Sequence, residues 1–135
     1  ESNEVIPICA KIEEELAMLE ADEKKEFLND LGIQESGLDR IIKTTYHLLG
    51  LSTFLTAGVQ EVRAWTFIKG MKAPECAGVI HTDFQKGFIR AETYAYDDLI
   101  ALGSEQAVKD AGKLRLEGKE YQVQDGDVLH FRFNV

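Results

Sequence analysis

The hydrophobic and polar positions along the chain change rhythm near residue 50. Residues 4–10 (EVIPICA) form a short apolar, β-branched run, which predicts a buried strand of parallel type. Residues 11–19 place Ile12, Leu16 and Leu19 on one helical face, with Glu13, Glu14 and Glu15 in the first turn where the helix dipole favours anions. A second helix is expected from Asp22 as N-cap, turning in Phe27, Leu28 and Leu31 and stopping at Gly32. A third is expected over 37–49. Ser36 and Asp39 form its capping box, Leu38, Ile41, Ile42, Thr45 and Leu49 share a face, and Gly50 closes it.

Beyond that point the signals are those of strands. Residues 51–56 and 62–68 flank a turn at Gly58 and predict an antiparallel pair, followed by a short helix over 73–80 with Pro74 in its first turn. Residues 87–94 predict another strand, 96–102 a mixed turn, and Ser104 caps a short helix running to Gly112. LRL at 114–116 and YQV at 121–123 read as the arms of a hairpin, and Asp125-Gly126-Asp127 turns the chain into a last strand over 128–133. A strand pair, a helix and further strands ending within the sheet describe an α+β chain, a ubiquitin-like β-grasp with its helix on one face.

Composition narrows the function classes. No apolar run approaches the ~20 residues that span a bilayer, so no membrane partner is expected. The net charge of −9 lies mostly in front: residues 1–49 carry 5 Lys/Arg against 12 Asp/Glu, and residues 50–135 carry 10 against 12. Phosphate backbones repel such a chain, so DNA is not an expected partner, and RNA contact would require a local basic patch in the nearly neutral rear part. Cys9 and Cys76 lie far apart with no metal-ligand spacing, which favours a reducing, cytoplasmic setting over a disulfide or zinc framework. The chain opens on Glu1 without a signal-peptide pattern, and the orphan strand at 4–10 lacks sheet neighbours. Both suggest a piece of a longer protein.

Three strings, AGVIHTDF at 77–84, GFIRAE at 87–92 and Asp125-Gly126-Asp127 before a closing strand, resemble the TGS domain, a β-grasp module also found in threonyl-tRNA synthetases and (p)ppGpp synthetases. The longer strings GKLRLEGK at 112–119 and VLHFRFNV at 128–135 resemble the end of the YchF-type, Obg-related P-loop NTPases. PICAKIE at 7–13 resembles the strand and S-A-K loop that holds the nucleotide base in those proteins, with Cys9 where serine is usual. The resemblance implies a TGS domain over 51–135. Residues 1–50 would be the last strand and helices of a truncated nucleotide-binding domain.

The resemblance further implies a parent that binds ATP in preference to GTP, with Mg²⁺, hydrolyses it slowly and associates with the ribosome, through its large subunit or as a whole. Within this chain it makes Cys9, Ala10 and Lys11 nucleotide-binding residues. The chain has no G-x-x-x-x-G-K-S/T loop. Phosphoryl transfer depends on that loop and its metal, so no catalytic residue is expected here. The leading reading is a non-catalytic ribosome-docking module beside its own nucleotide-binding domain. The alternative is an end that completes a nucleotide pocket and binds no partner.

Individual residues fit a binding module. His81 and Asp83, at i, i+2, suit a turn better than an acid/base pair. His47 and His130 have no ligand partner at metal spacing. Trp65 reads as core packing, because a stacking platform would want several exposed aromatics with basic neighbours. The acidic runs at 13–15 and 22–26 read as solvated helix faces. Arg63, Lys69, Lys72, Lys86, Arg90, Lys113, Arg115 and Arg132 are the candidate ribosome contacts. Arg63 with Arg90, or Arg115 with Arg132, would cluster in a suitable strand register.

Overall fold

A computed structural model describes residues 4–58 and 61–134. The chain divides into two compact units, Glu1–Leu49 and Gly50–Val135.

The first unit is helical: α1 is Ala10–Ala17, α2 is Ala21–Asp30 and α3 is Gly37–Leu48. Residues 4–9 form no strand, and Val5 and Ile8 are exposed. The correction has a simple cause: a strand exists only through a neighbour's hydrogen bonds, and no described segment pairs with this one. The second helix starts earlier than Asp22. Glu20 is its N-cap, and its N–H donates to the Glu23 carboxylate at 3.0 Å, so the box is acidic at both ends. Gly32 and Gly50 take the positive φ expected of them. Ser36 caps α3 as predicted, accepting from Asp39 N at 3.1 Å. The apolar stripe of α3 stays open, with Leu38, Ile42 and Leu49 all exposed.

In the second unit, β1 (Leu51–Ala57) and β2 (Val62–Ile68) form the predicted hairpin, paired from Leu51↔Ile68 to Ala57↔Val62. Then come α4 (Ala73–Ile80), α5 (Thr82–Lys86), β3 (Phe88–Ala95), α6 (Tyr96–Leu102), α7 (Glu105–Asp110), β4 (Arg115–Glu117) and β5 (Asp127–Phe133). The sheet order is β2-β1-β5-β3-β4. β5 lies parallel to β1 and antiparallel to β3, so the last strand enters the middle of the sheet.

Two expectations are corrected, and one helix is added. Residues 96–102 form a helix rather than a turn, with Asp97 and Asp98 in its first turn and Gly103 closing it at φ 81°. Residues 114–116 and 121–123 are not hairpin arms. β4 instead pairs with β3, while Tyr121 O and Val123 N bond to Ala73 N and Met71 O at the start of α4. The reason is burial: Val123 enters the main core, which a solvent-facing hairpin arm would not do. The helix α5 was not foreseen. His81 caps it, Nδ1 accepting from Asp83 N at 3.1 Å, which is the local turn role its spacing suggested.

The main core lies between the sheet and α4. Phe54 is fully buried at its centre, 5.8 Å from Phe67 and edge-on to Phe131 at 6.0 Å between ring centroids. On the other face Tyr94, Val108 and Val128 form a smaller cluster. Asp125-Gly126-Asp127 ties the start of β5 to β1. Asp125 accepts from Thr53 N, and Gly126, at φ 78°, donates its N–H to Thr53 O, both at 2.8 Å. The left-handed backbone at Gly126 explains the glycine between the two aspartates.

Candidate functional site

Cys9, Ala10 and Lys11 form one exposed turn at the start of α1. Cys9 is extended (φ −102°, ψ 105°), and α1 has no side-chain cap, so its first N–H groups have no partner within the helix. Those donors suit the carbonyl or ring nitrogen of a nucleobase. The turn is held from behind: Glu13 N bonds back to Cys9 O at 3.1 Å, and the Glu13 carboxylate accepts from Gly37 N at 2.7 Å and Leu38 N at 3.4 Å. A carboxylate on the first N–H groups of α3 is favoured by charge and hydrogen bonding together. Gly37 permits this approach, since a Cβ there would lie 2.9 Å from Glu13 Oε1 and 3.1 Å from Ile8 Cγ1. Beside the turn is a cleft of about 370 Å³ lined mainly by Pro7, Ile8, Ile12, Leu28 and Ile33, with Arg40 also in its lining.

The eight basic candidates are mostly engaged within the second unit. Lys72 pairs with Glu120 at 2.5 Å, Lys113 with Asp98 at 3.8 Å, and Arg132 reaches Glu92 through two nitrogens at 3.1 and 3.3 Å. The Arg132 hydrogen bond holds the Glu92 carboxyl below its ordinary range. Arg115 donates to Tyr121 Oη at 3.3 Å and lies 3.6 Å from buried Asp127, while the Arg63 guanidinium stacks 4.2 Å over the Trp65 ring. Among the described residues, Lys69, Lys86 and Arg90 carry no ion pair.

Strand register overturns both expected clusters. Arg63 shares a face with Trp65 and Phe67 toward α4, whereas Arg90 lies on the opposite face from Ala91. Arg115 sits opposite Thr93, on the α4 side, and Arg132 opposite Arg90, on the other. The structure therefore brings Arg90 and Arg132 together, with His130 across from Glu92 on the same face. Trp65 is a half-buried rim of the main core, its Nε1 donating to Thr56 Oγ1 at 2.8 Å.

The network behind Arg115 is not legible in the sequence. Asp127 is 4 % exposed and accepts from Tyr121 Oη at 2.6 Å and Gln124 N at 2.9 Å. An aspartate right after a turn glycine was the one available signal, and it reads equally well as solvated.

The two cysteines differ sharply. Cys9 is exposed; Cys76 is buried, and burial, then Glu75 and Asp127, push its thiol from 9.0 up to about 12. An aromatic disulfide reagent at mildly alkaline pH should titrate one thiol rapidly in the folded chain and both in denaturant. Cys76 keeps its proton in the folded chain above the pH at which the unfolded chain loses it, so stability should fall as pH rises from 9.0 toward about 12. Tyr121, raised by burial and its bond to Asp127 from 10.0 to about 12, acts in the same direction.

Among the described residues no helix is long and apolar enough to cross a membrane. Residues 51–134 match the family model YchF-GTPase_C, described as a protein of unknown function (DUF933). The chain is 70% identical over 135 residues to the ribosome-binding ATPase YchF of Bacillus subtilis (strain 168), covering 100% of this chain and 37% of that protein. It is 63% identical over 131 residues to the protein of the same name from Haemophilus ducreyi, covering 97% of this chain and 36% of the relative. The chain thus spans little more than a third of the length of these relatives. Among solved structures, the Schizosaccharomyces pombe YchF GTPase superposes with a TM-score of 0.82 at 42% identity, over 95% of this chain and 34% of that one. The string at 112–119 and all but the last residue of the string at 128–135, which suggested this kinship, lie within the matched region, and the chain belongs to the YchF-GTPase_C family.

Proposed function

We propose that the chain is the non-catalytic C-terminal part of a longer YchF-type P-loop NTPase, and that its second unit docks the protein on the ribosome. The carrying observation is the match over the full chain to relatives named ribosome-binding ATPases. In this reading residues 51–135 are a TGS module. The order β2-β1-β5-β3-β4, with β5 parallel to β1 and a helix after the first hairpin, supports a ubiquitin-like β-grasp. Residues 1–50 belong with the nucleotide-binding domain, where Cys9, Ala10 and Lys11 offer backbone donors to the base of ATP or GTP. The parent supplies the phosphate loop and Mg²⁺, and it works in the cytoplasm.

Internal ion pairing of half of the basic candidates, Lys72, Lys113, Arg115 and Arg132, argues against a broad electrostatic clamp, since a paired cation displaces few counterions. Lys69, Lys86 and Arg90 are the better contact candidates. The same pairing favours the alternative of pocket completion without partner binding, and the two separate in one experiment. The 135-residue chain, mixed with purified ribosomes and spun through a sucrose cushion, should pellet with them in a salt-sensitive manner and release no phosphate from ATP. Retention in the supernatant at low salt would favour the alternative.

A further inference from the structure

The turn at 9–11 is gripped from both sides. Ahead of it, Ile8 packs on Gly37: a Cβ on that glycine would lie 3.1 Å from Ile8 Cγ1 and 3.3 Å from Ile8 Cγ2. Behind it, the Glu13 carboxylate accepts from Gly37 N at 2.7 Å and Leu38 N at 3.4 Å, across 24 residues of chain in the first case. Both flanks of the turn therefore meet one glycine at the start of α3, and its missing side chain is what lets them come so close.

These contacts also sort the two helix N-termini that meet here. The first three N–H groups of α3 are engaged within the unit, Gly37 and Leu38 on Glu13 and Asp39 on Ser36 Oγ at 3.1 Å. The start of α1 has no such cap. Cys9 at its N-cap makes no side-chain hydrogen bond there, and the residue three positions on, where a Glu or Gln would close a capping box, is Ile12. Glu13 stands one residue later and commits its carboxylate to α3 instead. Donors bind a ligand's acceptor at full strength when they are already held in place, because ordering a loose segment costs binding energy.

We propose that Glu13 and Gly37 are positioning residues for the nucleotide base: they fix the backbone donors of the turn at 9–11 against α3 and themselves touch no ligand. The proposal rests on the reading of that turn as a base-binding loop. The base gains affinity from this pin, and the phosphates, which the rest of the longer protein holds, do not.

The test compares ATP with inorganic tripolyphosphate, which has the phosphates and no base, by calorimetric titration of the full-length protein. Glu13→Ala should weaken ATP roughly ten-fold, about the value of a hydrogen bond to a charged group, and leave tripolyphosphate within about two-fold. Glu13→Gln keeps one acceptor oxygen for Gly37 N and should recover most of that loss. Gly37→Ala brings a Cβ to 2.9 Å from Glu13 Oε1, so the carboxylate swings away with its charge intact. It should weaken ATP with the same selectivity, although alanine suits a helix better than glycine. Ala10→Pro probes the turn itself: proline is tolerated at the first helical position after an extended residue such as Cys9, and it deletes one donor. ATP should weaken there whether or not Glu13 matters. Selective loss of ATP in both Glu13→Ala and Gly37→Ala supports the proposal. Equal loss of ATP and tripolyphosphate would overturn it, since the two residues would then only hold the unit together. Unchanged ATP affinity in both, with Ala10→Pro weakened, would also overturn it and leave the base-binding turn standing; unchanged affinity in all three would remove that reading as well. If Glu13→Ala does not fold, Gly37→Ala decides between these outcomes.

Discussion

Phe54→Ala should destabilise the second unit by about 3–5 kcal/mol, the usual cost of deleting a buried aromatic ring. The ring is fully buried, meets Phe67 and Phe131, and sits on β1 between the β2 pairing and the single bridge to β5. Its neighbours come from both flanking strands, so relaxation cannot close the void without disturbing the parallel pairing. Net stability runs at about 0.05–0.15 kcal/mol per residue, so the loss is comparable with the whole stability of a unit this size. Trp65 is the sole tryptophan and lies in this unit, so its fluorescence in a urea titration reports this unit's unfolding. A shift under about 1 kcal/mol would mean that the core does not depend on Phe54 in the way its burial implies.

Asp127→Ala should cost about 2–3 kcal/mol, read by the same titration. The substitution strands the Tyr121 hydroxyl and the Gln124 N–H, both part-buried, which is dearer than the net value of either hydrogen bond. The Arg115 attraction adds little, because that side chain is half exposed and its charge is screened. Asp127→Asn retains an acceptor oxygen and should lose about half as much. Combined with Tyr121→Phe, Asp127→Ala should cost less than the sum of the two single changes, because one hydrogen bond is counted in both. Strict additivity would contradict the network.

What could be read from the sequence was what is local. The start of α3 at Ser36 and its stop at Gly50, and the hairpin about Gly58, rest on caps and turns within a few residues, and all appear where such residues stand. The failures are relations between distant segments. Residues 4–10 have the composition of a strand but no described neighbour, and residues 121–123 were drawn away from residues 114–116 by the α4 start and the core. The basic residues show the same limit. Their number is visible in the sequence, but faces and partners depend on register, and register put Arg115 beside Asp127 and Arg132 on Glu92. The family kinship was legible because contiguous strings near the end of the chain carry it. Glu13 as the pin of α3 was not, since 24 residues separate it from Gly37.

Under the proposed function, the second unit joins the longer protein to the ribosome. Its most direct test is to remove residues 51–135 from the full-length protein and measure ribosome pelleting and ATP hydrolysis on the same preparation. Pelleting should be lost while hydrolysis remains measurable; undiminished pelleting of the truncated protein would contradict a docking role for the second unit.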